Sequence, residues 1–328
     1  MRTACFLEPG RSLDQALERA QLAESLGFES AWLTHIASRE PLQVINHLAH
    51  GTERIGFGTA VTPIFLRHPA LMAQEAATLD EVTGGRLSLG IGTSHKITIE
   101  GWYGLTLDDP VGRMREYTTI LRQLFTQGGA SVEGRHHTAR FGFLGYRARP
   151  ALRIYWAAMG PRMLEAAAEL ADGVVLWMCS PRHIASTIRP ALEKALADHG
   201  RPVEEFDIVA AVPCSVTDDP DAGRDAFRTA AVPYLQLPFY RKEVEQVHPG
   251  VLRAFDDRLA AGDLPGAMRA LPDQFVEDFA GVGSAEAVQR KIGDYRDAGV
   301  TLPAISGLPK HEGSGGVEAV LEAAAPSG

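Results

Sequence analysis

The feature that most constrains the fold is an alternation. Short apolar runs that read as buried strands are followed by longer segments with helical spacing, and the cycle completes eight times. The runs fall at residues 3–7, 29–34, 55–62, 86–92, 152–158, 172–178, 206–216 and 301–306. The first helix opens at Ser12, whose hydroxyl can cap the amide of Gln15, and stops at Gly27, where a left-handed residue costs little. Further helices are predicted over 42–50, from Pro69 to the Gly84 and Gly85 pair, and over 110–126, 161–170, 181–199 and 284–298. Pro69 and Pro161 suit a first helical position, where no amide proton is needed.

Strand–helix alternation implies a parallel sheet with right-handed crossovers, and eight such units close into a (β/α)8 TIM barrel. An open doubly wound sheet would want a glycine fingerprint after the first strand. The chain has Glu8, Pro9, Gly10 and Arg11 there instead. Two stretches are longer than the repeating unit, 93–149 and 218–281, and read as insertions after strands 4 and 7; loops of this length commonly form lids or binding walls. Residues 1–310 are expected to form one barrel domain. Residues 311–328, rich in Gly, Ser and Ala, are expected to be a partly frayed tail.

The bulk properties exclude several classes. The 328 residues are 45% hydrophobic and 22% charged, enough for a core that needs no disulfide. A net charge of -9 argues against a nucleic-acid partner. Cys5, Cys179 and Cys214 are scattered and read as small buried hydrophobes of a reduced, cytoplasmic protein. No signal-peptide pattern and no membrane-length apolar run is visible. His47 and His50, three apart on a helix, lack a carboxylate partner and read as a solvated face, so no metal is predicted.

In such a barrel the chemistry gathers where strands run into the following loops. This selects Thr34 and His35 after strand 2, Gly58, Thr59, Ala60 and Val61 in strand 3, Gly92, Thr93, Ser94 and His95 after strand 4, and Trp177 after strand 6. After strand 5 the small residues Ala157, Ala158 and Gly160, with Met159 among them, leave room for a ligand beside the backbone. Pro161 then opens a helix whose free amides suit a phosphate or other anion, and Arg162 adds charge. His35 is the acid/base candidate, because imidazole titrates near neutral pH. Trp102, Tyr103, Phe239 and Tyr240 are candidate apolar walls in the insertions.

The segments IGFGTAVTP at 55–63, RHP at 67–69, AATLDE at 76–81 and GRLSLGIG at 85–92 resemble the luciferase-like flavin and deazaflavin oxidoreductases, and AAMGP at 157–161 and ELADG at 169–173 look like later blocks of that family. SHK at 94–96, EGWYGL at 100–105 and RMREY at 113–117 are similar to the branch that uses coenzyme F420, an 8-hydroxy-5-deazaflavin. Methylenetetrahydromethanopterin reductases look like more distant relatives. The resemblance implies a cis peptide at Ala60–Val61 behind the deazaflavin ring, His35 beside the ring, and cofactor contacts from 92–94 and 157–162. Thr34 departs from a family position that is often aspartate. The implied activity is hydride transfer between the deazaflavin C5 and an electron-poor C=C, C=N or C=O bond of a small substrate, in a homodimer. Two other readings fit the same residues: a monooxygenase using reduced FMN supplied by a separate reductase, and a flavin-binding protein without turnover.

Overall fold

A computed structural model describes residues 1–326. Its eight barrel strands are β1 (Ala4–Phe6), β2 (Ser30–Leu33), β3 (Gly56–Thr59), β4 (Leu87–Gly92), β5 (Arg153–Ala157), β6 (Gly173–Leu176), β7 (Asp207–Val216) and β8 (Leu302–Gly307). Each pairs in parallel with the next, and β8 pairs with β1, Ala304 opposite Ala4. The ring is complete: this is a closed TIM barrel.

Side-chain alternation decides what fills it. In β1, Ala4 and Phe6 face the interior while Cys5 faces the helical shell. In β7, Val209 and Ala211 point inward and Ile208, Ala210 and Val212 outward. Two large rings occupy the middle of the cylinder, Trp32 and Tyr155, edge to face at 5.1 Å. Such a pair contributes about 1 kcal/mol beyond its burial. Glycine makes room for both. A Cβ on Gly58 would sit 2.4 Å from the Trp32 ring, and one on Gly173 would sit 2.7 Å from the Tyr155 ring. The cylinder is therefore plugged by side chains, and a ligand has space only at its rim.

The helices start and stop where the sequence signals them. Helix α1 (Leu13–Ser25) is capped by the Ser12 side chain, which accepts from the Gln15 amide, and Gly27 takes φ 84° after it. The Gln15 carboxamide accepts from the Arg11 amide, one residue outside the usual reciprocal pair. Helices α2 (Pro41–Ala49), α3 (Pro69–Val82), α4 (Pro110–Gln127) and α5 (Pro161–Leu170) all begin at proline.

Several segments differ from expectation. Strand 3, expected to run unbroken over 55–62, divides at a cis Ala60–Val61 bond, and the short piece Thr62–Pro63 pairs instead with the end of β4. Residues 128–146 contain an antiparallel hairpin, Gly129–Glu133 with Thr138–Gly142. Its turn is organised from outside the hairpin: the Glu116 carboxylate accepts from the amides of Arg135, His136 and His137. The helix expected over 181–199 is broken into Pro181–His183, a π-helical turn Ile184–Ile188, and Arg189–Asp198. Pro190 explains the break, since it has no amide for the preceding turn. The second insertion folds as five helices around its own apolar cluster of Phe227, Phe255, Phe275 and Phe279, and ends in a short strand, Gly281–Gly283, added beside β7. The tail is not frayed throughout: Gly316–Ala323 is a helix with Val320 and Leu321 buried, tied to α1 by an Arg19–Glu318 ion pair. Ser327 and Gly328 lie outside the described residues.

At the amino-terminal end of the barrel, Asp207 joins four elements. Its carboxylate accepts from Arg2 Nη1 at 2.6 Å, Arg153 Nη1 at 2.8 Å, Tyr155 OH at 2.8 Å and Thr301 Oγ1 at 3.0 Å. Burial alone would raise the Asp207 pKa, but the Arg2 hydrogen bond and the charges of Arg153 and Arg2 outweigh it and hold it below the usual carboxylate range. The stabilisation is fully present above that range and is lost as pH falls through the depressed value. Asp207→Asn should cost about 2 kcal/mol, toward the low end for a buried hub because both arginines are partly solvated. Urea denaturation checks this: the loss should be clear at neutral pH and shrink in acid, and an equal loss at both would contradict the assignment.

Candidate active site

The rim is built on a close approach between β3 and β4. The buried Thr59 hydroxyl donates to the Gly90 carbonyl at 2.7 Å and accepts from the Gly90 amide at 2.8 Å. A Cβ on Gly90 would lie 1.8 Å from the Thr59 carbonyl oxygen. One residue pair further on, a Cβ on Gly92 would meet Val61 at 2.7 Å and Ala157 at 3.0 Å. Gly58, Thr59, Ala60 and Val61 are thus drawn close against Gly90 and Gly92, with Ala157 beside them. Ala60, Val61 and Trp177 also pack on top of the barrel-interior cluster, and Trp177 lies 6.0 Å from the Phe6 ring. They form the floor of the mouth.

His35 lies two residues beyond β2, whose last residue, Leu33, accepts from the Ala60 amide at 2.7 Å, while Thr34 is exposed. The His35 Nδ1 is buried without a hydrogen-bond partner among the described residues, 3.8 Å from Glu40 Oε1. Glu40 is itself held: it caps α2 by accepting from the Gln43 amide and is paired with Arg67 at 2.9 Å. Arg67 Nε also pairs with Glu75 at 2.8 Å. Burial lowers the His35 pKa, Arg67 lowers it further, and Glu40 opposes both. The ring is therefore neutral at neutral pH.

Beyond β4 the chain turns sharply at Ser94, a non-glycine residue with φ 57°, and presents His95. His95 lies edge-on to Tyr240 at 5.8 Å and Tyr234 at 6.4 Å, and Tyr234 lies 5.6 Å from Trp177. Burial keeps His95 below the usual histidine range. The Trp177 Nε1 is buried with no hydrogen-bond partner among the described residues. After β5, Gly160 is the N-cap of α5 and supplies no side-chain cap; Pro161 has no amide proton and the Met163 amide donates to the Gly160 carbonyl at 3.0 Å, which leaves the Arg162 amide to meet an anion. Pro161 and Arg162 are exposed there. Phe239, 68% exposed, reaches back over Gly160, 3.7 Å from where a Cβ would stand.

Sequence reasoning missed four residues of this arrangement: Phe6, Glu40, Arg67 and Tyr234. Arg67 sat inside the RHP segment without a role. Tyr234 had no signal, since its place depends on how the insertion folds back. The suggested walls separate: Tyr240 is buried at the mouth, Phe239 caps its edge, and Trp102 and Tyr103 are exposed around the π-helical segment Ile97–Trp102. Beyond the mouth, a cavity of about 370 Å³ is lined by Arg67, His68, Leu105, Arg113 and His137.

Over residues 1–302 the chain matches the family described as luciferase-like monooxygenases. The chain belongs to the luciferase-like family of oxidoreductases. It is 32% identical, over 88% of both chains, to a 5,10-methylenetetrahydromethanopterin reductase of Archaeoglobus fulgidus. It is 28% identical to a Mycobacterium tuberculosis protein named provisionally as a coenzyme F420-dependent oxidoreductase, over 88% of this chain and 89% of that one. The solved coenzyme F420-dependent tetrahydromethanopterin reductase of Methanopyrus kandleri superposes on it with a TM-score of 0.84 at 25% identity, covering 98% of this chain and 96% of that one. Methanopterin reductases thus stand nearer to this luciferase-like chain than its motifs alone suggest. Among the described residues, no helix is long and apolar enough to cross a membrane.

The β3–β4 approach has a direct test. Gly90→Ala must push the Thr59 carbonyl away and should destabilise by about 3 kcal/mol, as overpacking does at its upper end. Gly92→Ala, which meets only side-chain atoms, should cost less. Denaturation midpoints for the two variants decide; a Gly90→Ala midpoint equal to that of the parent would refute the close approach.

Proposed function

We propose that this protein is an F420-dependent oxidoreductase that transfers a hydride to or from an electron-poor C=C, C=N or C=O bond of a small organic substrate. The observation that carries the reading is the match over nearly the whole length of both chains to an F420-dependent reductase, at a TM-score of 0.84. Features of this chain's own mouth support it. Its floor of Ala60, Val61, Gly92 and Ala157 is made of small side chains that admit a flat ring. His35 Nδ1 and Trp177 Nε1 are buried polar atoms in need of a partner. The open start of α5, with Gly160, Pro161 and Arg162, suits a phosphate.

When bound, F420 supplies the hydride chemistry at its C5 position. The rest falls to the protein. Thr34, His35, Thr59, Ala60, Val61, Gly92, Thr93, Ser94 and Trp177 would surround the ring system, with Ala157, Ala158, Met159, Gly160, Pro161 and Arg162 holding its phosphate side. His95, leaning on Tyr234 and Tyr240, would close the wall. His35 is the group placed to hold or move the proton that accompanies the hydride, and its neutral state lets it accept one at neutral pH. Glu40 and Arg67 position it and set its proton affinity.

Two measurements test this reading. Fluorescence titration of the purified protein should show tighter binding of F420 than of FMN. Tighter FMN binding with oxygen consumption would replace the reading with a reduced-FMN monooxygenase, and F420 binding with no turnover on any tested acceptor would leave a binding protein. Once a substrate is found, His35→Ala should lower kcat by about 10²–10⁴ with F420 still bound, the range typical for a lost acid/base group. The acid limb of the parent's kcat/KM profile should fall below the ordinary histidine range, and Glu40→Gln, which removes the opposing charge, should move that limb lower still. Unchanged turnover in His35→Ala would remove His35 from the chemistry.

A further inference from the structure

Next to the mouth, at the carboxyl end of β6, three chemically unlike side chains converge from two parts of the chain. Cys179 lies three residues beyond the end of the strand. His183 lies four residues on, at the end of the helical turn Pro181–His183. Glu243 comes from the insertion, on the helix Pro238–Val247. One ligand atom from each, a thiol sulfur, an imidazole nitrogen and a carboxylate oxygen, lies within 4.8 Å of the other two. All three residues are buried, with relative exposures of 1%, 6% and 2%.

The Glu243 carboxylate is the group that needs explaining. Its Oε1 accepts from the Ser180 amide at 2.8 Å, but its Oε2 is buried with no hydrogen-bond partner among the described residues. A carboxylate this deep needs a proton or a cation. No arginine or lysine pairs with it among the described residues, and the nearest polar side chains are those of Cys179, Ser180 and His183. None of the three residues has a task in the hydride chemistry described above.

We propose that Cys179, His183 and Glu243 bind a divalent transition-metal ion of the zinc type, which fastens the insertion helix Pro238–Val247 to the end of β6. Sulfur, nitrogen and oxygen donors are the set that zinc accepts, with ligand distances of about 2.0–2.3 Å. Around one tetrahedral ion the donors would stand about 3.3–3.8 Å apart, so the observed spread closes with small side-chain movements. The charges also balance. A thiolate and a carboxylate neutralise a divalent ion, and the neutral imidazole adds no charge to a buried site. Three protein ligands leave one coordination position open to water. The consequence for the mouth is geometric, because Tyr240 sits on the same helix one turn before Glu243 and packs against His95.

The test uses the full-length protein and needs neither F420 nor a substrate. After expression with added zinc and exhaustive dialysis, mass spectrometry of the metal content should find close to one zinc per chain. Replacing zinc by cobalt(II) should give a thiolate-to-cobalt charge-transfer band in the near ultraviolet. The band should vanish in Cys179→Ser and persist in Cys214→Ala. Glu243→Gln should bind zinc at least tenfold more weakly in competition with a chromogenic chelator. Stripping the metal should expose the Arg241 and Lys242 bonds to trypsin. The proposal fails if the parent protein shows no cobalt–thiolate band, or if Cys179→Ser holds as much zinc as the parent, which would mean an adventitious ion only. Should Cys179→Ser not fold, the band and the chelator competition on the parent protein still decide.

Discussion

The arrangement depends on how the cylinder is filled. Trp32 and Tyr155 meet edge to face in its middle because Gly58 and Gly173 have no side chains to oppose them. Their combined volume closes the barrel to any ligand from below. Whatever binds must therefore lie on the layer above them, where Ala60, Val61 and Trp177 make a low, mostly apolar surface. The depth of the mouth is thus set by the layer directly beneath it.

The two ends of the barrel handle charge differently. At the amino-terminal end, Asp207 gathers Arg2, Arg153, Tyr155 and Thr301 into a network that ties β5 and β7 to the residues leading into β1 and β8. At the carboxyl end several polar groups are left unsatisfied: His35 Nδ1, Thr62 Oγ1 and Trp177 Nε1 are all buried without partners among the described residues. The Asp207 network is satisfied within the protein, whereas the unpartnered groups at the carboxyl end are open to a ligand.

Much of this was legible beforehand. The period of the apolar runs determined the fold, because a strand buried on both faces and a helix with one apolar stripe leave different traces, and eight repeats admit few closures. The rim residues followed from strand ends alone. What was not legible arises from contacts distant in sequence. Glu116 organises a hairpin turn nineteen to twenty-one residues away, so that turn carries no local signal. The partnership of Arg67 with Glu40 and Glu75 joins three helix and loop positions whose spacing has no common period. Tyr234 meets Trp177 only because the insertion returns over the mouth. The C-terminal helix was hidden by its own composition, since Gly, Ser and Ala suggest fraying until Val320 and Leu321 find the barrel wall.

The insertion between β7 and β8 carries its own phenylalanine cluster, separate from the barrel's core. A lobe that supports itself can change its surface without disturbing the cylinder beneath. The surface over the mouth and the cylinder beneath it are therefore written largely in different stretches of the chain, so under the proposed function a lineage could trade one small molecule for another by revising some sixty residues while the strands of the barrel stayed as they are.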